Sequence, residues 1–260
     1  MIAEPIPILS DNYVWCLRSG ADAAEALVVD PGDAAPVAAW LHRAGLQLAG
    51  ILVTHWHPDH IEGIAALRAE AGPVPVYGPA AEAARIPLLT HPLDGNEVLD
   101  LPVGQARVMA LPGHTLGHIG YVINGWAFCG DTLFSAGCGR LFEGTPAQMH
   151  ASLQGLAALP DDTRVACTHE YTLANLAFAA AVEPDNPAVQ ARIDHVKALR
   201  AAGRPSLPTT VAEERQFNPF LRCHVAAVRA AAAHLSETPL DDDTATFAAL
   251  RKWKDHFRAT

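Results

Sequence analysis

An apolar run, Gly50-Ile51-Leu52-Val53-Thr54, leads directly into His55-Trp56-His57-Pro58-Asp59-His60. Three histidines and an aspartate thus fall within six residues at the end of a strand-like segment. His55 and His57 are two apart, so extended backbone sends both to the same side. Together they can grip one ion. Asp59 and His60 are adjacent, open the next helix, and are placed to hold a second ion beside the first. Imidazole and carboxylate donors suit zinc, iron or manganese. A histidine-rich surface loop is the ordinary alternative, and the order H-x-H-x-D-H straight after a buried strand disfavours it. The chain has no H-E-x-x-H, which excludes a zincin-type protease.

Such a cluster needs further ligands to close two coordination spheres. Three candidates follow strand-like runs: His114 in Pro112-Gly113-His114-Thr115-Leu116-Gly117-His118, Asp131 in Gly130-Asp131-Thr132, and His169 in Thr168-His169-Glu170-Tyr171. Each alone reads as structural: a loop histidine, an Asx turn, a helix start. The same strand-then-ligand arrangement, repeated after 55–60, turns the balance towards a metal site.

The elements that must place these residues fill the first two thirds of the chain. Strands are predicted at 13–17, 26–29, 50–54, 74–77, 98–101, 106–111, 120–123, 127–129 and 164–167. Helices are predicted at 34–44, 61–71 and 146–158. This mixture implies an α/β or α+β layered domain, two sheets with helices outside. After about Tyr171 no strand is expected, and helical spacing appears at 174–182, 187–202, 223–235 and 244–257. The expected division is 1–172 and a helical 173–260.

Composition narrows the partners. The 260 residues are 50% hydrophobic, enough for a packed core. Lys and Arg number 18 and Asp and Glu 28, a net −10, which disfavours nucleic acid and anionic membranes. The five cysteines are scattered without C-x-x-C, which argues against a disulfide framework and a thiolate zinc site. No signal peptide and no membrane-length apolar run is visible. A cytoplasmic monomer acting on a small molecule is expected.

Thr-His-x-His-x-Asp-His at 54–60, Gly-His-Thr-x-Gly-His at 113–118, Gly-Asp-Thr at 130–132 and His169 together resemble the metallo-β-lactamase superfamily. Val29-Asp30-Pro31-Gly32 resembles its early turn. Ser10-Asp11-Asn12-Tyr13, Gly137-Cys138-Gly139-Arg140, Glu143-Gly144-Thr145, His169-Glu170-Tyr171-Thr172 and Asn218-Pro219-Phe220-Leu221-Arg222 resemble, more narrowly, the hydroxyacylglutathione hydrolase (glyoxalase II) family. The resemblance implies an αββα sandwich followed by a C-terminal all-helical domain. It implies two divalent ions per chain, zinc first, with iron or manganese also suited. His55, His57 and His114 would hold one ion, and Asp59, His60 and His169 the other. Asp131 would bridge them, with Asp59 and Asp131 the carboxylates at the reacting centre.

The implied reaction is hydrolysis of S-(2-hydroxyacyl)glutathione, typically S-lactoylglutathione, by a hydroxide held between the metals, as in methylglyoxal detoxification. Substrate contacts would be Arg140, Tyr171, Arg251 and Lys254. Phe142 stands where many members have tyrosine, so one hydrogen bond to glutathione is lost. A neutral hydrogen bond contributes about 0.5–1.5 kcal/mol, up to roughly tenfold in affinity. The alternatives are a persulfide dioxygenase of the same superfamily and a non-catalytic metal-binding member. Oxygen consumption would favour the first, and an inert metal-loaded sample the second.

Overall fold

The computed structural model describes residues 1–234, 236 and 239–258, and the chain divides into two units. The first comprises Met1–Pro112 and Leu116–Gly130. It begins with β1 (Ile2–Ile8), β2 (Asn12–Arg18) and β3 (Glu25–Val29). The sequence pattern did not reveal β1, because Pro5 and Pro7 interrupt it. The strand is tolerated because it lies at a sheet edge, where a missing N–H costs little. Helix α1 (Ala34–Ala44) starts where the Asp33 carboxylate accepts Ala35 N–H and stops at Gly45 in the left-handed region.

Strand β4 (Gln47–Leu52), helices α2 (Pro58–Ile61) and α3 (Ile64–Ala71), β5 (Val76–Pro79) and β6 (His91–Leu93) follow. The sheet order is β1-β2-β3-β4-β5-β6, antiparallel up to β3 and parallel beyond. The helix predicted over 61–71 is divided at Gly63. Gly63 N–H donates to Pro31 C=O at 2.9 Å, and a Cβ there would come within 2.4 Å of that oxygen.

A meander completes this unit: β7 (Val98–Leu101), β8 (Gly104–Ala110), β9 (Ile119–Ile123) and β10 (Trp126–Gly130), each antiparallel to the next. The two sets of strands meet where buried Trp15 of β2 lies edge-on to Trp126 at 5.8 Å and to Phe128 at 6.2 Å. On the outer side, Val37 and Leu41 of α1 and Ile64 and Leu67 of α3 pack with Val28 and Ile51. The segments with the candidate ligands therefore leave strands whose other residues are fixed in a core.

The second unit comprises Gly113–Thr115 and Asp131–Thr260. A hairpin of β11 (Leu133–Phe134) and β12 (Gly137–Cys138) precedes α4 (Pro146–Ala157), β13 (Arg164–Cys167), α5 (Thr172–Val182) and α6 (Pro187–Ala201). Then come β14 (Thr209–Thr210), α7 (Val211–Phe217), α8 (Ala226–Ala233) and α9 (Asp243–His256). Strand β14 corrects the expectation of no strand after Tyr171. It is only two residues, too short for periodicity to reveal, and exists through pairing with β13. The helix expected over 223–235 begins at Ala226, because Pro219–Leu221 forms a 3-10 turn just before it. Its expected end, Leu235, lies outside the described residues.

Candidate metal centre

In the first unit β4 ends at Leu52 and delivers Thr54, His55 and His60 into buried positions. Asp30, directly after β3, is 1% exposed and has φ +53°. Its carboxylate accepts Thr54 N–H at 2.7 Å and the Thr54 hydroxyl at 2.8 Å. That hydroxyl has a single proton, so it accepts in its 3.0 Å contact with His55 Nδ1. Nδ1 of His55 therefore carries the ring proton and Nε2 the lone pair. His60 Nδ1 lies 3.1 Å from Asp30 Oδ2, so the same carboxylate borders both rings. Through Thr54 this buried carboxylate sets the His55 tautomer, as hydrogen-bond partners behind metal-binding histidines commonly do.

His55 Nε2 and His57 Nδ1 approach to 3.0 Å. Adjacent ligands on a tetrahedral ion with bonds of about 2.05 Å stand about 3.3 Å apart, so the spacing fits a shared ion. Asp59 Oδ2 accepts Asn12 Nδ2–H at 2.9 Å and lies 3.6 Å from His60 Nε2. His118 stacks on His55 with centroids 4.8 Å apart. Gly130 must be glycine here: it has φ +47°, and a Cβ would meet Thr54 Oγ1 at 2.3 Å.

The second unit holds the other three expected ligands. Asp131 Oδ2 lies 3.4 Å from His114 Nε2, and its Oδ1 lies 3.4 Å from His169 Nε2. The two histidines address opposite oxygens of one carboxylate, which suits a shared ligand. His114 Nδ1–H donates to Arg140 C=O at 2.8 Å; a carbonyl only accepts, so Nε2 keeps its lone pair. The His169 ring stacks on Tyr171 at 4.6 Å. Imidazoles and carboxylates brought together in this way form a donor set that fits a divalent metal ion.

Within this unit a cavity of about 440 Å³ adjoins His114 and Asp131. Arg140, Phe142, Tyr171, Arg251 and Lys254 all line it. Their states differ. Phe142 is 62% exposed, with its ring 5.2 Å from that of His114. Arg251 is buried, donating to Cys138 C=O at 2.9 Å and to Asp255 Oδ1 at 3.0 Å. Arg140 Nε lies 3.7 Å from the same Asp255 oxygen. Lys254 Nζ donates to Ala174 C=O at 3.0 Å and lies 5.4 Å from the Phe178 ring centre. Burial, with repulsion from Arg251 and Arg140, pushes its pKa down to about 8. Burial pushes the Cys138 thiol up against the pull of Arg251, so it stays protonated and is no activated nucleophile.

Three contributors escaped the sequence reading. Asp30 was visible only as part of a turn and Asn12 only as part of a motif, without their bonds to Thr54 and Asp59. Asp255 had one available signal, its i,i+4 spacing from Arg251.

The family model of the metallo-beta-lactamase superfamily matches residues 12–169, and that of the hydroxyacylglutathione hydrolase C-terminus matches 170–257. The chain is 54% identical to the hydroxyacylglutathione hydrolase of Cupriavidus taiwanensis, over 98% of both chains. It is 52% identical to that of Halorhodospira halophila, over 97% of this chain and 98% of the other. Among solved structures, the BLEG-1 B3 metallo-beta-lactamase matches with TM-score 0.63 and 26% identity, over 85% of this chain and 99% of its own. TTHA1623 in a di-iron-bound form matches with TM-score 0.62 and 25% identity, over 84% and 100%. A match over nearly the whole chain to named relatives, with the two family models together spanning 12–257, makes the chain a member of the hydroxyacylglutathione hydrolase family within the metallo-β-lactamase superfamily.

Proposed function

We propose that the chain hydrolyses the thioester of S-(2-hydroxyacyl)glutathione, S-lactoylglutathione first among them, to glutathione and a 2-hydroxy acid. One observation carries this: a single cavity joins His114 and Asp131 to the cations Arg140 and Lys254. A thioester bearing carboxylates at its far end needs both, a reacting centre and a cationic anchor. The relatives' shared name supports the same reaction and favours neither persulfide oxygenation nor a non-catalytic role.

In this reading His55, His57 and His114 would hold one ion, Asp59, His60 and His169 the other, and Asp131 would serve both. When bound, such ions supply a water acidified to near-neutral pH and a Lewis acid for the carbonyl oxygen. The chain's own residues do the rest. Thr54, held by Asp30, keeps His55 Nε2 as the donating nitrogen, and Arg140 C=O does the same for His114 Nε2. Arg140 and Lys254 draw the glutathione carboxylates, and Arg251, tied to Cys138 C=O, shapes the wall behind them. Tyr171 and Phe142 offer apolar faces on either side. Thiolate is a good leaving group, so no strong general acid is required.

Two ions are supported by the set of seven candidate ligands and by the di-iron form of the fold neighbour TTHA1623, and zinc is put first because imidazole and carboxylate donors suit it. Residues 1–172 would carry catalysis and 173–260 substrate binding, a division supported by the two family models. The protein would work as a cytoplasmic monomer. All five cysteines are buried and no disulfide joins them among the described residues, which favours a reducing compartment. No helix of the described residues is long and apolar enough to cross a membrane. Metal analysis beside an S-lactoylglutathione assay tests the proposal. About two metals per chain with thioester hydrolysis are expected; a metal-loaded sample inert towards the thioester would refute it.

A further inference from the structure

Glu82 closes the 3-10 turn Ala80–Glu82 that follows β5, and it is 5% exposed. A buried carboxylate needs partners. Its two oxygens go to two different stretches of the first unit. Oε2 accepts Trp56 N–H at 2.8 Å, the peptide between His55 and His57. Oε1 accepts Gly117 N–H at 3.1 Å, the peptide next to His118, whose ring stacks on His55. The approach requires glycine: a Cβ on Gly117 would lie 2.6 Å from Glu82 Cγ. The same turn also places Arg85, whose guanidinium lies 4.3 Å from the Trp56 ring centre. On its other flank the Trp56 ring meets His57 at 4.6 Å.

We infer that Glu82 is a positioning residue for His55 and His57, acting through the Trp56 and Gly117 peptides. The inference rests on the reading of those histidines as metal ligands. They share an ion only while the backbone between them stays extended, with both rings on one side. That conformation leaves Trp56 N–H beyond the end of β4 without a strand to receive it. A carboxylate receives it with a charge-assisted bond, shorter and stronger than a neutral acceptor gives. The second oxygen ties the His118 segment to the same anchor, so the wall beside His55 and the strap that carries it keep one spacing. Glu82 itself touches neither ion nor substrate.

Two substitutions separate positioning from bulk stability. Glu82→Gln keeps the size but offers only one acceptor oxygen, so one tie is lost. Gly117→Ala would press on Glu82 Cγ, Cδ and Oε1 and displace the carboxylate, with its charge and both oxygens kept. The full chain is titrated with cobalt(II) against a chelator, with visible spectra, kcat, KM and melting temperature recorded. Amide exchange at Trp56 is followed in metal-free protein. Glu82→Gln is expected to bind cobalt roughly tenfold or more weakly, in the range second-shell changes produce. Its visible bands change, kcat falls at constant KM, and Trp56 N–H exchanges faster even without metal. Gly117→Ala shows a smaller shift in the same direction, and it decides the matter if Glu82→Gln does not fold. A folded Glu82→Gln chain with wild-type cobalt affinity and spectrum overturns the inference, whatever its melting temperature. A wild-type chain that takes up no cobalt overturns the ligand reading and this inference together; wild-type uptake matched by both variants overturns the inference alone.

Discussion

Thr54 links Asp30 to His55 with one proton, donating to the carboxylate and accepting from the ring. Valine has nearly the same shape and neither capacity, so Thr54→Val leaves a buried carboxylate and a ring N–H short of a partner. The expected loss is about 1–3 kcal/mol in stability and roughly 10–100-fold in metal affinity. Urea unfolding and chelator competition measure the two separately, and unchanged affinity would count against tautomer control. Lys254 gives a second prediction at this scale. Its pKa of about 8 in the fold lies below the ordinary 10.5 of lysine. Between those values the unfolded chain binds more protons than the folded one, so this group's contribution to stability rises with pH across the window. Its attraction for an anionic substrate falls over the same window. KM for the glutathione thioester is therefore expected to climb as pH passes about 8. Lys254→Arg, which stays charged, should flatten that climb; an unaltered profile in the variant would assign the effect to another group.

The hairpin β11–β12 has too few residues to hold its own shape, and α7 with the residue after it holds it instead. Glu214 of α7 is fully buried and accepts Ala136 N–H at 2.9 Å, where Ala136 turns the chain at φ +57°. Asn218 Nδ2 donates to Phe134 C=O at 3.1 Å and to Gly137 C=O at 3.0 Å. Glu214→Ala strands the Ala136 N–H inside the protein. A loss of about 1–3 kcal/mol is expected, with faster amide exchange at Ala136; unchanged exchange there would show that the hairpin stands without this brace. The same elements show what a sequence discloses. The candidate strap stood out because four donor side chains crowd into 55–60 after an apolar strand, and α1 was legible through its spacing and Gly45. The brace was not, because Glu214 and Ala136 are 78 residues apart and meet only through folding. Likewise β1 hid behind its prolines, and β14 exists only by pairing. Local pattern reveals whatever chemistry is local; the groups that aim it arrive from elsewhere in the chain.

At the scale of the whole molecule, a chain of net charge −10 concentrates imidazoles and carboxylates whose lone pairs are already aimed. The unfolded chain has the same residues without that aim, so it binds divalent ions far less well. Ions that prefer the folded state stabilise it by mass action, about 2.7 kcal/mol each at a hundredfold excess over Kd. For a chain of this size each kcal/mol moves the melting temperature by about 2–4 °C. Stripping the metal with a chelator is thus expected to lower Tm by roughly 5–10 °C per ion lost, and added zinc should restore it. The restoration must also depend on pH. Donation needs a ring nitrogen without a proton, so the gain from zinc should fade as pH is lowered and protons compete for the rings. Calorimetry of stripped and zinc-loaded protein at several pH values measures both effects. A Tm indifferent to chelator and zinc would remove the metal centre from the account. A zinc gain that persists undiminished in acid would show that the ion sits on carboxylates and not on the histidines that Asp30 and Thr54 orient.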